Sequence, residues 1–332
     1  MPIPFSILDL APVGDDQSIS EAIENSKKVA KCGEDNGYQR FWLAEHHGSR
    51  GVASSATSVM LAAIGAATHR IRIGAGGIML PNHSPLVIAE QFGTLASMYP
   101  NRVDLGLGRA PGTDMMTARA LRRNITSDVD SYPEDVAELQ SYLSADKLTK
   151  QIIAVPGEGT YVPLWLLGSS LYSAQLAAYM GLPFSFASHF APEMLLDAIN
   201  IYRSNFRPSE QLDKPFVSAG VMASVADVQA DAEFHFTSAK IKFAHLRRGT
   251  NQPFPSPVYT LSETLSSSEI DIINSTLRYS MVGDKKTVSR KLMDFIKATQ
   301  IDEIIFSFPI HNIDARLRAI ELTAQLSQMQ KV

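Results

Sequence analysis

The sequence predicts an α/β protein, a (β/α)8 TIM barrel in which residues 1–332 form a single domain, and three observations carry that reading. Short apolar runs alternate along the chain with longer amphipathic ones, the pattern of strands joined by helical crossovers. The strand-like runs are apolar almost without interruption, which marks strands buried on both faces of a parallel sheet. Eight such runs occur, the number that closes a barrel.

In order, FSILDL (5–10) reads as strand one, and 18–37 as a helix that starts on a Ser cap and ends near Gly37. QRFWLAEHH is strand two, followed by a helix near 55–68. RIRIGAGGIML is strand three, and SPLVIAEQFGTLASMYP is a helix whose Pro85 suits a first turn. RVDLGLGR is strand four. A polar helical region then runs to about Leu148, and the Pro and Gly of IIAVPGEGTYV suggest a small hairpin or loop. VPLWLLG (162–168) is strand five with SSLYSAQLAAYMG as its helix, and LPFSFASH is strand six. A helix from Pro192 to Phe206 leads to PFVSAGVMAS, strand seven. DEIIFSFPIH (302–311) is strand eight, followed by a terminal helix to about Gln328. The segment 227–299 exceeds one crossover, with a helical stretch, the proline-rich NQPFPSPVYT and two further helices, and reads as an insertion between strands seven and eight. Long loops on a rigid barrel carry function or mobility.

Net charge is −4 and the isoelectric point near 6.1, so overall charge recommends neither nucleic acid nor an anionic membrane as partner. Cys32 is the only cysteine, which excludes internal disulfides and cysteine-based zinc clusters and suits a reducing compartment. The N-terminus lacks a basic region and meets Asp9 too early for a signal peptide, and no run of about 20 apolar residues spans a bilayer. A cytoplasmic protein is expected.

In a barrel of this kind the ligand site lies at the carboxyl ends of the strands. Strand two ends in Glu45, His46 and His47; strand three runs through Gly76 and Gly77 to Asn82 and His83. Strand four ends at Arg109, strand five at Ser169 and Ser170, strand six at Ser188 and His189, strand eight at His311. Serines at a helix start, beside a forked guanidinium, suit a monophosphate; an ordinary cap and a surface arginine are the plainer reading. G-A-G-G-I-M and G-L-G-R-A-P both lack the third glycine of a dinucleotide fingerprint. Gly76 and Gly77 permit a bulge where a flat ligand meets the backbone, or simply tight packing inside the barrel. Adjacent histidines on a strand point to opposite faces, and strand one carries no His-x-His pair, so no metal site is expected. A histidine in a pocket suits acid–base chemistry or a structural hydrogen bond.

FWLAEHH, IRIGAGGIMLPNHSP, RVDLGLGRAPGTD and LWLLGSSLYSAQLAAYMGLP resemble the signature stretches of the bacterial-luciferase-like flavin monooxygenases, and MVGDKKTVSRKLMDFI with DEIIFSFPIH resembles their final βα units. The resemblance covers nearly the whole chain. It implies a barrel that binds reduced FMN supplied by a separate NAD(P)H:flavin reductase, uses O2 to oxygenate a small organic substrate, and forms a homodimer. It implies that the flavin phosphate sits between Arg109 and the helix start bearing Ser169, Ser170 and Ser173, that Gly76-Gly77 is a cis peptide against the flavin ring, and that His46 is the catalytic histidine with Glu45 orienting it. Gly108 stands where the luciferases proper carry a cysteine, so light emission is not expected. Two rivals remain on the same barrel: hydride transfer with a deazaflavin coenzyme, and a flavin-binding protein without turnover.

Overall fold

The computed structural model describes residues 3–110, 115–121, 131–145 and 152–329. β1 (Phe5–Asp9) leads into α1 (Ile19–Asp35), β2 (Arg40–Leu43) into α2 (Thr57–Ala67), and β3 (Arg72–Met79) through one 3-10 turn into α3 (Pro85–Met98). β4 (Val103–Gly108) is followed by α4 (Met115–Leu121) and α5 (Tyr132–Leu143), β5 (Leu164–Gly168) by α6 (Leu171–Met180), and β6 (Phe184–Phe186) by α7 (Leu195–Asn205). After β7 (Val217–Val225) come α8 (Gln229–Arg247), α9 (Ser267–Thr276), β8 (Met281–Gly283) and α10 (Lys285–Thr299), then β9 (Glu303–Ser307) and α11 (Ile313–Met329).

All strand pairings in the sheet are parallel, and they close it in the order β1 to β7, then β9, then back to β1. The first seven strands read from the sequence are β1 to β7 and the eighth is β9, which gives the expected TIM barrel. β8 stands outside the ring, pairing with Ala223–Val225 at the end of β7. At three residues it is too short to show a periodic signal. Local chemistry sets the helix ends as read: Ser18 and Glu21 form a capping box on α1, Gly37 takes φ +77° beyond it, and Pro85 opens α3. The segment 152–162 is a loop without a strand, and the part of the expected polar helical region beyond 145 lies outside the described residues until 152. No helix among the described residues is long and apolar enough to cross a membrane.

Side chains pointing outward from the strands, such as Ile7, Phe41, Ile73, Leu105, Phe184 and Phe306, join the helices in one apolar core. Val288, Leu292 and Phe295 of α10 belong to that core, so α10 completes the helical ring. The rest of the long excursion after β7 has its own small core, in which Phe236, Ala239, Leu265, Ile273 and Leu277 gather against Met222.

Inside the barrel the floor is charged. Arg40 forks onto Glu303 through Nε and Nη2 (2.8 and 3.0 Å) and reaches Asp104 through Nη1 (2.8 Å), while Arg72 takes Asp104 from the other side. Asp104 also accepts the Trp42 indole N–H at 3.3 Å. The Arg40 guanidinium lies 4.7 Å from the Trp165 ring, and Trp42, Trp165 and Phe216 meet edge to face in the layer above. Replacing Arg40 by Met leaves two buried carboxylates short of a cation, so Arg40→Met is expected to cost about 3–5 kcal/mol. Urea denaturation checks this, and a loss under about 1 kcal/mol, the scale of an exposed ion pair, contradicts it.

Candidate active site

The upper half of β3 lies unusually close to β4. The pairing register shifts between Ala75 and Ile78, and the Gly76–Gly77 peptide bond is cis. A Cβ on Gly77 would stand 2.6 Å from the Gly106 carbonyl oxygen, and one on Gly76 would stand 2.8 Å from Leu8 and 3.0 Å from Trp42. The strand is thus bulged, and it is also tightly packed: backbone excludes a side chain at Gly77, and Leu8 and Trp42 crowd Gly76.

At the next strand ends, Arg109 directly follows β4, and its guanidinium lies over the Tyr172 ring at 4.3 Å. β5 pairs with β4, so the start of α6 arrives alongside. Ser170 caps α6 without accepting a backbone N–H of its first turn, and its Oγ is instead 3.5 Å from that of the buried Ser173. Arg109, Ser169, Ser170 and Ser173 are thus brought to one place. The donors gathered there, a guanidinium, hydroxyls and the N–H groups of an unsatisfied helix start, have the chemistry to hold a phosphate.

Two aromatic residues at this end were not found by sequence reasoning. Tyr172 was read only as part of a helix, and Tyr132 lies in the polar region after β4, where no motif singles it out. Tyr132 is buried, its hydroxyl lacks a hydrogen-bond partner among the described residues, and burial followed by Tyr172 pushes its ionisation up, with Arg109 opposing.

Across the mouth, Glu45 is buried immediately after β2. Its Oε1 lies 2.7 Å from His47 Nε2 and 2.8 Å from His83 Nε2, and its Oε2 accepts the Met79 N–H at 3.2 Å. Burial alone raises the carboxyl pKa; hydrogen bonding and charge from His83 and His47 outweigh it and leave Glu45 below the usual carboxylate range. The carboxylate that the resemblance sets beside His46 thus goes to His47 and His83. These three residues present ligand atoms within 4.8 Å of one another, the spacing of a metal site, and Asp15, Asp16 and His311 do the same at the rim. Neither strand one nor the alternation of side chains signals these clusters, because His47 lies beyond the strand, where alternation ends. His46 is half-buried on the rim, with its carbonyl accepting from Ser55 Oγ at 2.8 Å. Next to it, His189 lies against Gly220. Ser188 is turned to the Gly220 carbonyl at 2.7 Å. His311 meets Asp15 Oδ1 at 2.9 Å, and Asp15 in turn accepts from Ser256 Oγ at 2.8 Å, so the excursion is strapped to the loop after β1.

Residues 3–299 match the family model of the luciferase-like monooxygenases. The chain is 49% identical over 326 residues to a luciferase-like monooxygenase of Escherichia coli, covering 98% of this chain and 97% of that protein. It is 28% identical to an N-acetyl-S-alkylcysteine monooxygenase of Bacillus subtilis, with 93% and 94% covered. Among solved structures, apo-MsnO8 is similar at TM-score 0.87 and 28% identity, with 98% of each chain covered. The oxygenating constituent of 3,6-diketocamphane monooxygenase from Pseudomonas putida, solved with FMN, shares the fold at TM-score 0.73 and 15% identity over 98% and 97% of the chains. An F420-dependent secondary alcohol dehydrogenase shares it at TM-score 0.69 and 16% identity over 97% and 98%.

Burial first, and then the nearby His46, push His189 down to about 4. The unfolded ring gains its proton near pH 6.5, so the folded state is fully stabilised above that pH and loses stability as pH falls toward about 4. Urea denaturation between pH 7 and 5 is expected to show that loss in the wild type and a shallower one in His189→Gln; equal slopes contradict the assignment.

Proposed function

Because the chain belongs to the luciferase-like monooxygenase family, we propose that it is a flavin-dependent monooxygenase using reduced FMN and O2 on a small organic substrate. The observation that carries this reading is the donor cluster of Arg109, Ser169, Ser170 and Ser173 at the adjoining ends of β4 and β5, which suits the phosphate of a flavin monophosphate. When bound, reduced FMN supplies the electrons that let one atom of O2 enter the substrate while the other leaves as water. Arg109 and the start of α6 hold the phosphate by charge and by free N–H groups. The bare backbone of Gly76 and Gly77, on the strand beside β2, would receive the flat ring of the same molecule. His46 takes and returns a proton at the rim, beside a His189 ring held neutral. Glu45 fixes His47 and His83, which keeps the polar wall around His46 in one arrangement. The excursion after β7 closes over the mouth and limits water.

The electrons come from NAD(P)H through a separate flavin reductase, in the cytoplasm. The homodimer expected for the family is assigned to α2, which is apolar nearly all round yet leaves Val59 69% exposed and, two turns further along the same face, Ala66 exposed as well. An apolar surface of that kind suits a second copy of the chain.

Flavin binding followed by fluorescence is expected to show tight binding of FMN and weak binding of the deazaflavin coenzyme; the reverse preference favours hydride transfer, which the likeness to the F420-dependent dehydrogenase keeps in view. With reduced FMN, labelled O2 and N-acetyl-S-alkylcysteines among a panel of candidate substrates, label is expected in product. His46→Ala should lower that rate about 10²–10⁴-fold without changing FMN affinity. If the wild type labels nothing and consumes reduced FMN no faster than His46→Ala, the barrel is a flavin binder without turnover. Sedimentation is expected to give a dimer for the wild type and a monomer for Val59→Glu.

A further inference from the structure

One polar group at the phosphate end of the site has no partner of its own. Tyr132 is the first residue of α5, and only 4% of it is exposed. Its ring packs within the main apolar core, and its hydroxyl is buried without a hydrogen bond among the described residues. Buried hydroxyls are nearly always paired, because an unpaired one carries the full penalty of leaving water. The groups that act electrostatically on this hydroxyl are Tyr172 and Arg109, the same pair that stacks at 4.3 Å beside the start of α6. Ser170, at that start, makes no side-chain cap, so the first N–H groups of α6 are unsatisfied at the same end of the site. Three elements that are remote in sequence, the end of β4, the start of α5 and the start of α6, therefore bring a guanidinium, a phenol and free N–H groups into one neighbourhood.

We propose that Tyr132 is a further cofactor-binding residue, whose hydroxyl donates a hydrogen bond to a terminal oxygen of the flavin phosphate held between Arg109 and the start of α6. The inference rests on the reading of that cluster as the flavin-phosphate cradle and extends it. A phenol kept neutral by burial adds a directed donor without adding charge. Arg109 supplies charge, α6 supplies its dipole, and Tyr132 supplies direction from the third side. Such a donor acts only on a ligand that carries the phosphate, so it separates FMN from riboflavin, which has the same ring and no phosphate. Before the ligand arrives the orphaned hydroxyl is a local cost, and binding removes it.

Titration of oxidised FMN and riboflavin against wild type and Tyr132→Phe, followed by flavin fluorescence, tests this. The wild type is expected to prefer FMN. Tyr132→Phe is expected to bind FMN about tenfold or more weakly, the usual size of a lost hydrogen bond to a charged group, with riboflavin affinity unchanged. In thermal melts without flavin, Tyr132→Phe should melt at or above the wild-type temperature, since it removes an unpaired buried hydroxyl; a clear drop means the hydroxyl serves the protein itself and overturns the proposal. Wild type preferring FMN while Tyr132→Phe binds it equally well also overturns it and leaves the phosphate cradle standing. A wild type that binds FMN and riboflavin alike overturns the cradle and, with it, the proposal.

Discussion

The barrel closes around Arg40. Its guanidinium joins β2 to β9 through Glu303 and to β4 through Asp104, so one side chain ties three strands that are far apart in sequence. A fork of donors suits that role in a way that a lysine does not, because two carboxylates and two indole rings meet it at fixed angles. The tryptophan layer rests on that charge, and the mouth rests on the tryptophans. Gly76 packs against Trp42, so the place where the backbone is barest is fixed from below by the ion cluster.

The seam between β3 and β4 then aligns the two ends of the site. Gly74 and Gly77 press on the backbone of Asp104 and Gly106, and the register shift above Ala75 realigns the remainder of the strand. On one side the shifted strand offers the Met79 N–H to Glu45. On the other, β4 runs out at Gly108 and delivers Arg109 onto Tyr172 in the first turn of α6. The cationic end and the histidine end are therefore spaced by one backbone contact, which a single methyl group would spoil.

The eight barrel strands were legible because each is a short apolar run between turn residues, and the helix ends because Ser18, Gly37 and Pro85 act locally. Arg109, Ser169 and Ser170 could be grouped because the barrel rule puts neighbouring strand ends together, and the family resemblance added Ser173. Glu45 could be found but its partners could not. Its choice of His47 and His83 depends on a turn after β3 that brings two loops face to face, and no periodicity encodes that. Tyr132 left no signal, since a tyrosine at a helix start looks the same whether it faces water or an anion. The floor of the barrel was equally silent: Arg40, Arg72, Asp104 and Glu303 lie in four separate strands and meet only on closure.

Apart from α10, the helices of the excursion after β7 pack in a small core of their own, anchored on Met222. Packing changes around Phe236 or Ile273 are separated from the ion cluster and the tryptophan layer, so their energetic effects stay nearly independent of the framework. Heredity can use that separation. A lineage can rewrite the excursion while the seam between β3 and β4, where a Cβ on Gly74 or Gly77 would strike the neighbouring backbone, stays as it was.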